Sequence, residues 1–325
     1  MKKKRIGIIA GCAVFALLLA LSLGFLTRLV TPASNRFLWY TYASGILGEE
    51  EDSLDYVVVG SSNATAGFAP MAIYGEYGCA GYVCGETLET TPKTYLRLKE
   101  IFKKQSPKYV IFETDAFYDT QQVSNAEAAE SYLETWLEYV WKYPKYHNQW
   151  KMVDPKDPFP DKDHTWTHVY RGETMNFDLG GFGETRDYMA YSTDLAPMRA
   201  TCRAYFKKCV RLCRENGAEP VVLSLPCAKY WTYPRHEYVK SLAQSAGAEY
   251  IDLNCYLDAM DFDGSLYYRD DGVHLNSPGA KTATLFFASL MNEKYPGAFG
   301  ASSLTDTGYE HWNGDYQKYI VEFTP

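Results

Sequence analysis

Five short apolar runs, held apart by longer segments with helical signals, constrain this chain more than any other feature. Tyr56–Val59, Tyr109–Phe112, Pro220–Leu225 and Tyr250–Leu253 are nearly continuous, rich in β-branched residues and bounded by turn residues, and Gly81–Cys84 is a weaker fifth. Strands buried on both faces read this way, whereas a strand with one wet face would alternate apolar and polar. Between the runs, Thr91-Pro92 opens a helix that reaches about Gln105, with proline at the first helical position. A second helix is predicted over Asp194–Asn216, stopped by Gly217, with Met198, Cys202, Tyr205, Cys209 and Leu212 at helical spacing. A third covers Pro234–Ala246, stopped by Gly247, and Ser277-Pro278 opens the last. Strands alternating with helices predict an α/β fold with a mainly parallel five-stranded sheet. In such sheets ligands bind beyond the carboxyl ends of the strands.

The alternation breaks over about 120–190, which is rich in Trp, Tyr, Asp and Lys and carries a proline cluster at Pro155, Pro158 and Pro160. It reads as an insertion with one helix, about Ala126–Lys142, and long loops of the functional or mobile kind. The α/β domain is expected over 54–295, and no element is predicted in the tail 296–325.

Before the first strand, Ile6–Leu26 is a run of 21 residues without a charge, preceded by Lys2, Lys3, Lys4 and Arg5. As a helix it spans about 30 Å, the thickness of a hydrocarbon core. The basic start predicts a cytoplasmic N-terminus and an exported remainder, joined by a tether over 31–53. The run is longer than the apolar part of a cleaved signal peptide, and Thr31-Pro32-Ala33 is a poor cleavage site, so an uncleaved single-pass anchor is expected. Mean hydropathy is −0.31, which excludes a multi-span membrane protein.

Residues 1–36 hold six basic and no acidic residues, leaving 26 basic and 40 acidic residues in the rest. So acidic a body repels phosphate backbones, and a nucleic-acid partner is not expected. Cys12 lies in the apolar run, and the other seven cysteines cannot all pair within one chain. Cys202, Cys209 and Cys213 read as buried thiols. Cys79 and Cys84 are close enough to pair, but no CxxC motif supports a disulfide framework or structural zinc.

Two motifs carry chemistry. Val59-Gly60-Ser61-Ser62-Asn63 follows the first strand, so its turn presents a hydroxyl at the carboxyl end of the sheet. Asp270-Asp271-Gly272-Val273-His274-Leu275-Asn276 precedes the last helix. Serine is a weak nucleophile that needs a base, and a histidine oriented by a carboxylate supplies one. Taken singly, the first motif also suits an ordinary turn or helix cap and the second a solvated acidic loop.

Together, over about 54–292, these motifs resemble the SGNH/GDSL hydrolases. The resemblance implies a three-layer, flavodoxin-like SGNH fold. It puts Ser62 at the nucleophile, with Asp271 and His274 as the other triad members. It implies an oxyanion hole built from the Ser62 N–H, the Gly85 N–H and an Asn after the third strand. Here that strand leads into Glu113-Thr114-Asp115, so the Asn is replaced; Asp115 or Asn63 is the candidate to fill its place, although an ionised Asp cannot donate. The basic start, single span and Gly-Ser-Ser turn are closer to membrane-anchored extracellular members of Gram-positive bacteria, such as the teichoic-acid D-alanine transfer proteins. That likeness implies O-acyl esters of a cell-envelope glycan or polymer as substrate, and a membrane acyltransferase as a partner.

Weaker candidates surround this core. Asp161, Asp163, His164 and His168 could face a metal, but such a loop is more often merely polar, and neither metal nor cofactor is expected. Trp166 and Trp231 are candidates to stack on a sugar, although most Trp side chains are core. Trp136, Trp141 and Trp150 have the same chemistry. Lys229, Arg235 and His236 follow the fourth strand and either reach the crevice or lie on the surface, and Arg171 is a candidate anion contact. The expected activity is that of a membrane-anchored extracytoplasmic serine esterase. The alternatives are an acyltransferase and a non-catalytic glycan- or partner-binding module.

Overall fold

A computed structural model describes residues 2–31, 42–118, 123–159, 166–180, 182, 186–300 and 302–324. The chain forms two compact units, one of 1–37 with 126–163, the other of 38–125 with 164–325. The expected insertion is therefore divided: its first part joins the N-terminal helix, and its second part belongs with the sheet.

The first unit holds α1 (Lys2–Val30), most of α5 (Asn125–Val140) and α6 (Tyr143–Tyr146). The apolar stretch of α1, Arg5–Val30, is long enough to cross a bilayer and buries none of its most apolar window. Near its C-terminal end, α6 and the following turn pack against it. The Trp141 indole donates to Thr27 Oγ1 at 2.9 Å, the Phe159 ring meets Phe25 edge-on at 5.5 Å, and Arg28 lies over that same ring.

The second unit is a three-layer α/β fold. Its elements are β1 (Tyr56–Val59), α2 (Ser62–Gly67), α3 (Pro70–Tyr77), β2 (Gly81–Val83), α4 (Thr91–Ile101), β3 (Tyr109–Glu113), α7 (Ala200–Glu215), β4 (Glu219–Ser224), α8 (Tyr233–Ala246), β5 (Glu249–Asp252), α9 (Gly264–Tyr267), α10 (Ser277–Lys294) and α11 (Asp306–Glu322). The sheet runs in the order β2-β1-β3-β4-β5 with every pair parallel. This is the flavodoxin-like order, and right-handed crossovers place α4 with α7 on one face and α2 and α3 with α10 on the other. Val57, Val58, Val110, Ile111, Val222 and Leu223 are fully buried between these layers. Each contributes roughly 1.5–3 kcal/mol.

All five predicted strands form within a residue or two of the expected limits. Helix α7 begins at Ala200 rather than Asp194, because Pro197 disfavours helical backbone at Ala196. It buries Cys202, Phe206, Cys209, Val210 and Cys213. Cys79 and Cys84 are buried free thiols.

The tail, for which the sequence predicts no element, closes the fold. Thr305 caps α11, accepting from the Gly308 N–H at 3.0 Å, and the helix buries Trp312 and Tyr319. Beneath it lies Arg171, fully buried, with ion pairs to Glu49 at 2.9 Å and Asp315 at 2.7 Å and its guanidinium 4.2 Å from the Trp312 ring centre. The expectation that Arg171 contacts a substrate anion is therefore corrected. Its charge is consumed in tying 49, 171 and 315 together.

Candidate active site

The sheet order reverses between β1 and β3, so the crevice at their carboxyl ends is the topological switch point. Ser62 starts α2 directly beyond β1, and Glu113 and Asp115 stand at the end of β3. His274 lies on the loop before α10. The loop is held there by Asn276, whose Oδ1 caps that helix at the Gly279 N–H, 2.9 Å away.

Three side chains line up. The Ser62 hydroxyl is 2.9 Å from His274 Nε2, and His274 Nδ1 is 2.6 Å from Asp270 Oδ2. With Nδ1 donating to the carboxylate, Nε2 is left as the acceptor for the serine proton. The other oxygen of Asp270 accepts the backbone N–H groups of Val273 and His274, each at 2.9 Å. Partial burial alone would raise the Asp270 pKa. The bonds from the His274 N–H, its imidazole and the Val273 N–H outweigh that and hold the carboxyl below its ordinary value.

The expectation for Asp271 is corrected. Its carboxylate turns outward to an ion pair with Lys229, while its neighbour Asp270 takes the imidazole. The cause is local: the Asp270 carboxylate closes the turn over Val273 and His274, and this fixes it beside the imidazole of the residue it caps.

The serine turn is braced from below. The Ser61 hydroxyl donates to Asp115 Oδ2 at 2.6 Å, and the Ser61 N–H donates to Glu113 Oε2 at 3.3 Å. Glu113 Oε1 accepts the Asp115 N–H at 2.7 Å. Glu113 is buried, and burial, followed by the charge of Asp115, pushes its pKa well above the usual range. A Cβ on Gly60 would lie 2.6 Å from the Glu113 Cβ, so only glycine lets β1 and β3 approach here. Sequence reading passed over Glu113, although an acid ending a strand buried on both faces was the available signal.

Gly85 abuts the same turn. A Cβ there would lie 2.9 Å from the Ser61 carbonyl oxygen and from the Thr65 methyl. Its neighbour Glu86 donates its N–H to Gly60 O at 3.2 Å, which fixes the loop beside Ser62. Asp115 is spent on Ser61, as an acceptor. Asn63 is buried on α2, and its Oδ1 has no hydrogen-bond partner among the described residues.

The rim comes from the second part of the insertion. Val83 N–H donates to Arg171 O at 2.8 Å, Thr174 N–H to Thr65 O at 2.7 Å, and Asn176 exchanges bonds with Ser277. Residues 171–177 thus run from the sheet edge, past α2, to the start of α10. Trp166 is half-buried and lies against Gly45 and His168.

Trp231 is not free to stack on a sugar. It is buried, with its indole N–H on Asp252 Oδ2 at 2.8 Å. That same oxygen takes His236 Nδ1 at 2.7 Å and the Tyr250 hydroxyl at 3.0 Å. Arg235 stacks on Tyr118, and Lys229 is paired with Asp271. His236, Asp252 and Cys255 bring three donor types suited to a metal within reach of one point. Asp252 Oδ2, however, already accepts three hydrogen bonds, and the group is explained as a carboxylate that holds a cationic imidazole. Asp161, Asp163 and His164 lie outside the described residues. His168, the fourth member of that motif, is turned inward and accepts the Gly172 N–H at 3.1 Å, with burial and then Arg171 lowering its pKa to about 4.

No family profile matches this chain, and no curated protein matches it. Among solved structures it is similar to YxiM of Bacillus subtilis, at 11% identity and a TM-score of 0.43, over 76% of this chain and 58% of that one. It is also similar to a GDSL-like lipase of Bacteroides thetaiotaomicron, at 14% identity and a TM-score of 0.34, over 74% of this chain and 88% of that one. The chain thus spans little more than half the length of the Bacillus protein.

Proposed function

We propose that this protein is a membrane-anchored serine hydrolase of the SGNH/GDSL kind, acting outside the cytoplasm on acyl esters of a cell-envelope glycan or polymer. The observation that carries the reading is the line Ser62–His274–Asp270 at the switch point of a flavodoxin-like sheet. The basic start and the apolar α1 support anchoring and export. The substrate class rests on the sequence resemblance.

In this mechanism Ser62 Oγ attacks the ester carbonyl as His274 Nε2 takes its proton. Asp270 stabilises the imidazolium that forms and keeps it oriented. The N–H groups of Ser62 and Gly85 receive the oxyanion. The imidazolium then protonates the leaving alcohol, and water, activated by the same imidazole, releases the acid from Ser62. No step draws on a metal or cofactor.

Fluorophosphonate labelling of the full chain in detergent tests the reading. Labelling of the wild type that is lost in Ser62→Ala and in His274→Ala is the expected result. An unlabelled but folded wild type would refute an activated Ser62. One observation favours a second reading, that of a binding module: Asp115 stands where the resemblance implies an oxyanion donor, yet it accepts from Ser61. Glycan binding that survives Ser62→Ala, without ester loss in the wild type, would establish that reading. Transfer of the acyl group to a polymer hydroxyl, with a membrane acyltransferase as partner, uses the same acyl-enzyme. It would be recognised by a product that keeps the acyl group.

A further inference from the structure

Helix α5 has two chemically opposed faces, and the apolar one is turned outward. Ala129, Leu133, Trp136 and Val140 follow one another at spacings of four, three and four, and all are exposed. With about 100° between successive residues, they form one narrow stripe. Glu127, Glu130, Glu134 and Glu138 fall on the other side. Leu133, Trp136 and Val140 are each more than half exposed. A soluble helix buries such a stripe, because apolar surface left in water is unfavourable in proportion to its area.

The stripe belongs to the unit that contains α1. Directly after it, Trp141 is tied to Thr27, one turn before the end of α1. Arg28 and Phe159 meet at the same level. An open, mainly apolar groove there is lined by Ala20, Leu23, Gly24, Thr27, Arg28 and Trp141. Further on, Trp150 and Met152 are also exposed. Trp beside Arg at the end of an apolar span is the chemistry of the membrane–water interface, and an amphipathic helix with exposed Leu and Trp is the chemistry that lies in it.

We infer that the stripe Ala129–Leu133–Trp136–Val140 lies in the bilayer interface at the Thr27 end of α1, so that the first part of the insertion is a second membrane contact. The occupant is lipid. The stripe ends at Val140, and the next residue, Trp141, is tied to Thr27, which brings that end of the stripe to the Thr27 end of α1, with the glutamates of α5 off the stripe. The inference rests on the reading of α1 as a membrane span. Such a contact would set the distance and tilt of the insertion at the bilayer, which a single flexible span does not do.

The test uses the full chain in lipid nanodiscs, with trifluoromethylphenylalanine introduced singly at Phe15, Trp136 or Tyr256 and read by fluorine NMR. Two nitroxide lipids are compared, one labelled near the headgroup and one near the chain end. The inference expects the Trp136 signal to lose most of its intensity to the headgroup-proximal label, the Phe15 signal to the chain-end label, and the exposed Tyr256 position to neither. A sharp Trp136 signal beside a broadened Phe15 signal overturns the inference while the anchor stands, and leaves the stripe for a protein partner. A sharp Phe15 signal overturns the anchor and the inference with it. Because Trp136 is half exposed, the replacement itself leaves the fold undisturbed.

Discussion

His274 Nδ1 lies 2.6 Å from Asp270 Oδ2, whereas Asp271, one residue nearer in sequence, pairs with Lys229 at the surface. The two aspartates are neighbours, so exchanging their roles would need only a local change of the turn. Turnover separates them. Asp270→Asn keeps the shape but removes the charge that stabilises the imidazolium, and turnover should fall by about 10⁴-fold. Asp271→Asn removes only an exposed ion pair and should leave turnover within a few-fold. The reverse ranking would reassign the acid to Asp271.

Glu113 lies beneath the nucleophile turn, and its raised pKa has a signed consequence for stability. A carboxyl that takes up protons more readily when folded favours the folded state at low pH. That contribution is complete below its unfolded pKa and is lost as pH rises through the folded one. Glu113→Gln removes this loss but keeps only one acceptor oxygen for the two N–H groups, of Ser61 and Asp115, that the carboxyl takes. The variant should therefore resist urea less than the wild type in mild acid, and the gap should narrow towards alkaline pH. A gap that stays constant with pH would mean that Glu113 does not change its protonation over that range. Gly60→Ala, by contrast, drives a methyl into the Glu113 side chain and should cost both stability and turnover.

Strands buried on both faces write themselves as unbroken apolar runs, and this is why β1 to β5 could be read from the sequence almost residue by residue. Ser62 and His274 were legible for a related reason: each sits on a turn between a recognisable strand or loop and a helix. Asp270 was not legible, because the choice between adjacent aspartates is made by the turn that Asp270 closes over Val273 and His274. Arg171 and Trp231 looked functional because isolated polar and aromatic residues in irregular segments carry no mark of burial. Their partners, Glu49, Asp315 and Asp252, lie far away in sequence. Helix α11 was hidden by weak amphipathicity, since it packs by Trp312 and Tyr319 rather than by a full apolar stripe.

Arg171 gives a prediction that distinguishes structure from substrate binding. It pairs with two carboxylates of very low exposure, and since Asp315 also has Lys318 at 2.8 Å, Arg171→Met chiefly strands Glu49. Removing one partner of a buried pair costs about 3–5 kcal/mol. Urea unfolding followed by tryptophan fluorescence should show a loss of that order, and what folds should keep its KM. Unchanged stability together with a raised KM for an anionic substrate would restore the binding role.

His236 gives the pH dependence the same sign as Glu113, through an imidazole rather than a carboxyl. Its bond to Asp252, followed by that to Cys255, raises the imidazole pKa from 6.5 to about 9. The folded state therefore holds a proton that the unfolded chain releases between these values. The stabilisation is complete below about pH 6.5 and is lost as pH rises through about 9. The ring is partly exposed, so solvent screening reduces the effect to about 1–2 kcal/mol. His236→Asn should then unfold at lower urea than the wild type near neutral pH, and the gap should close in alkaline buffer. If zinc instead raised the urea midpoint of the wild type but not that of the variant, the cluster would be a metal site, with His236, Asp252 and Cys255 as its ligands.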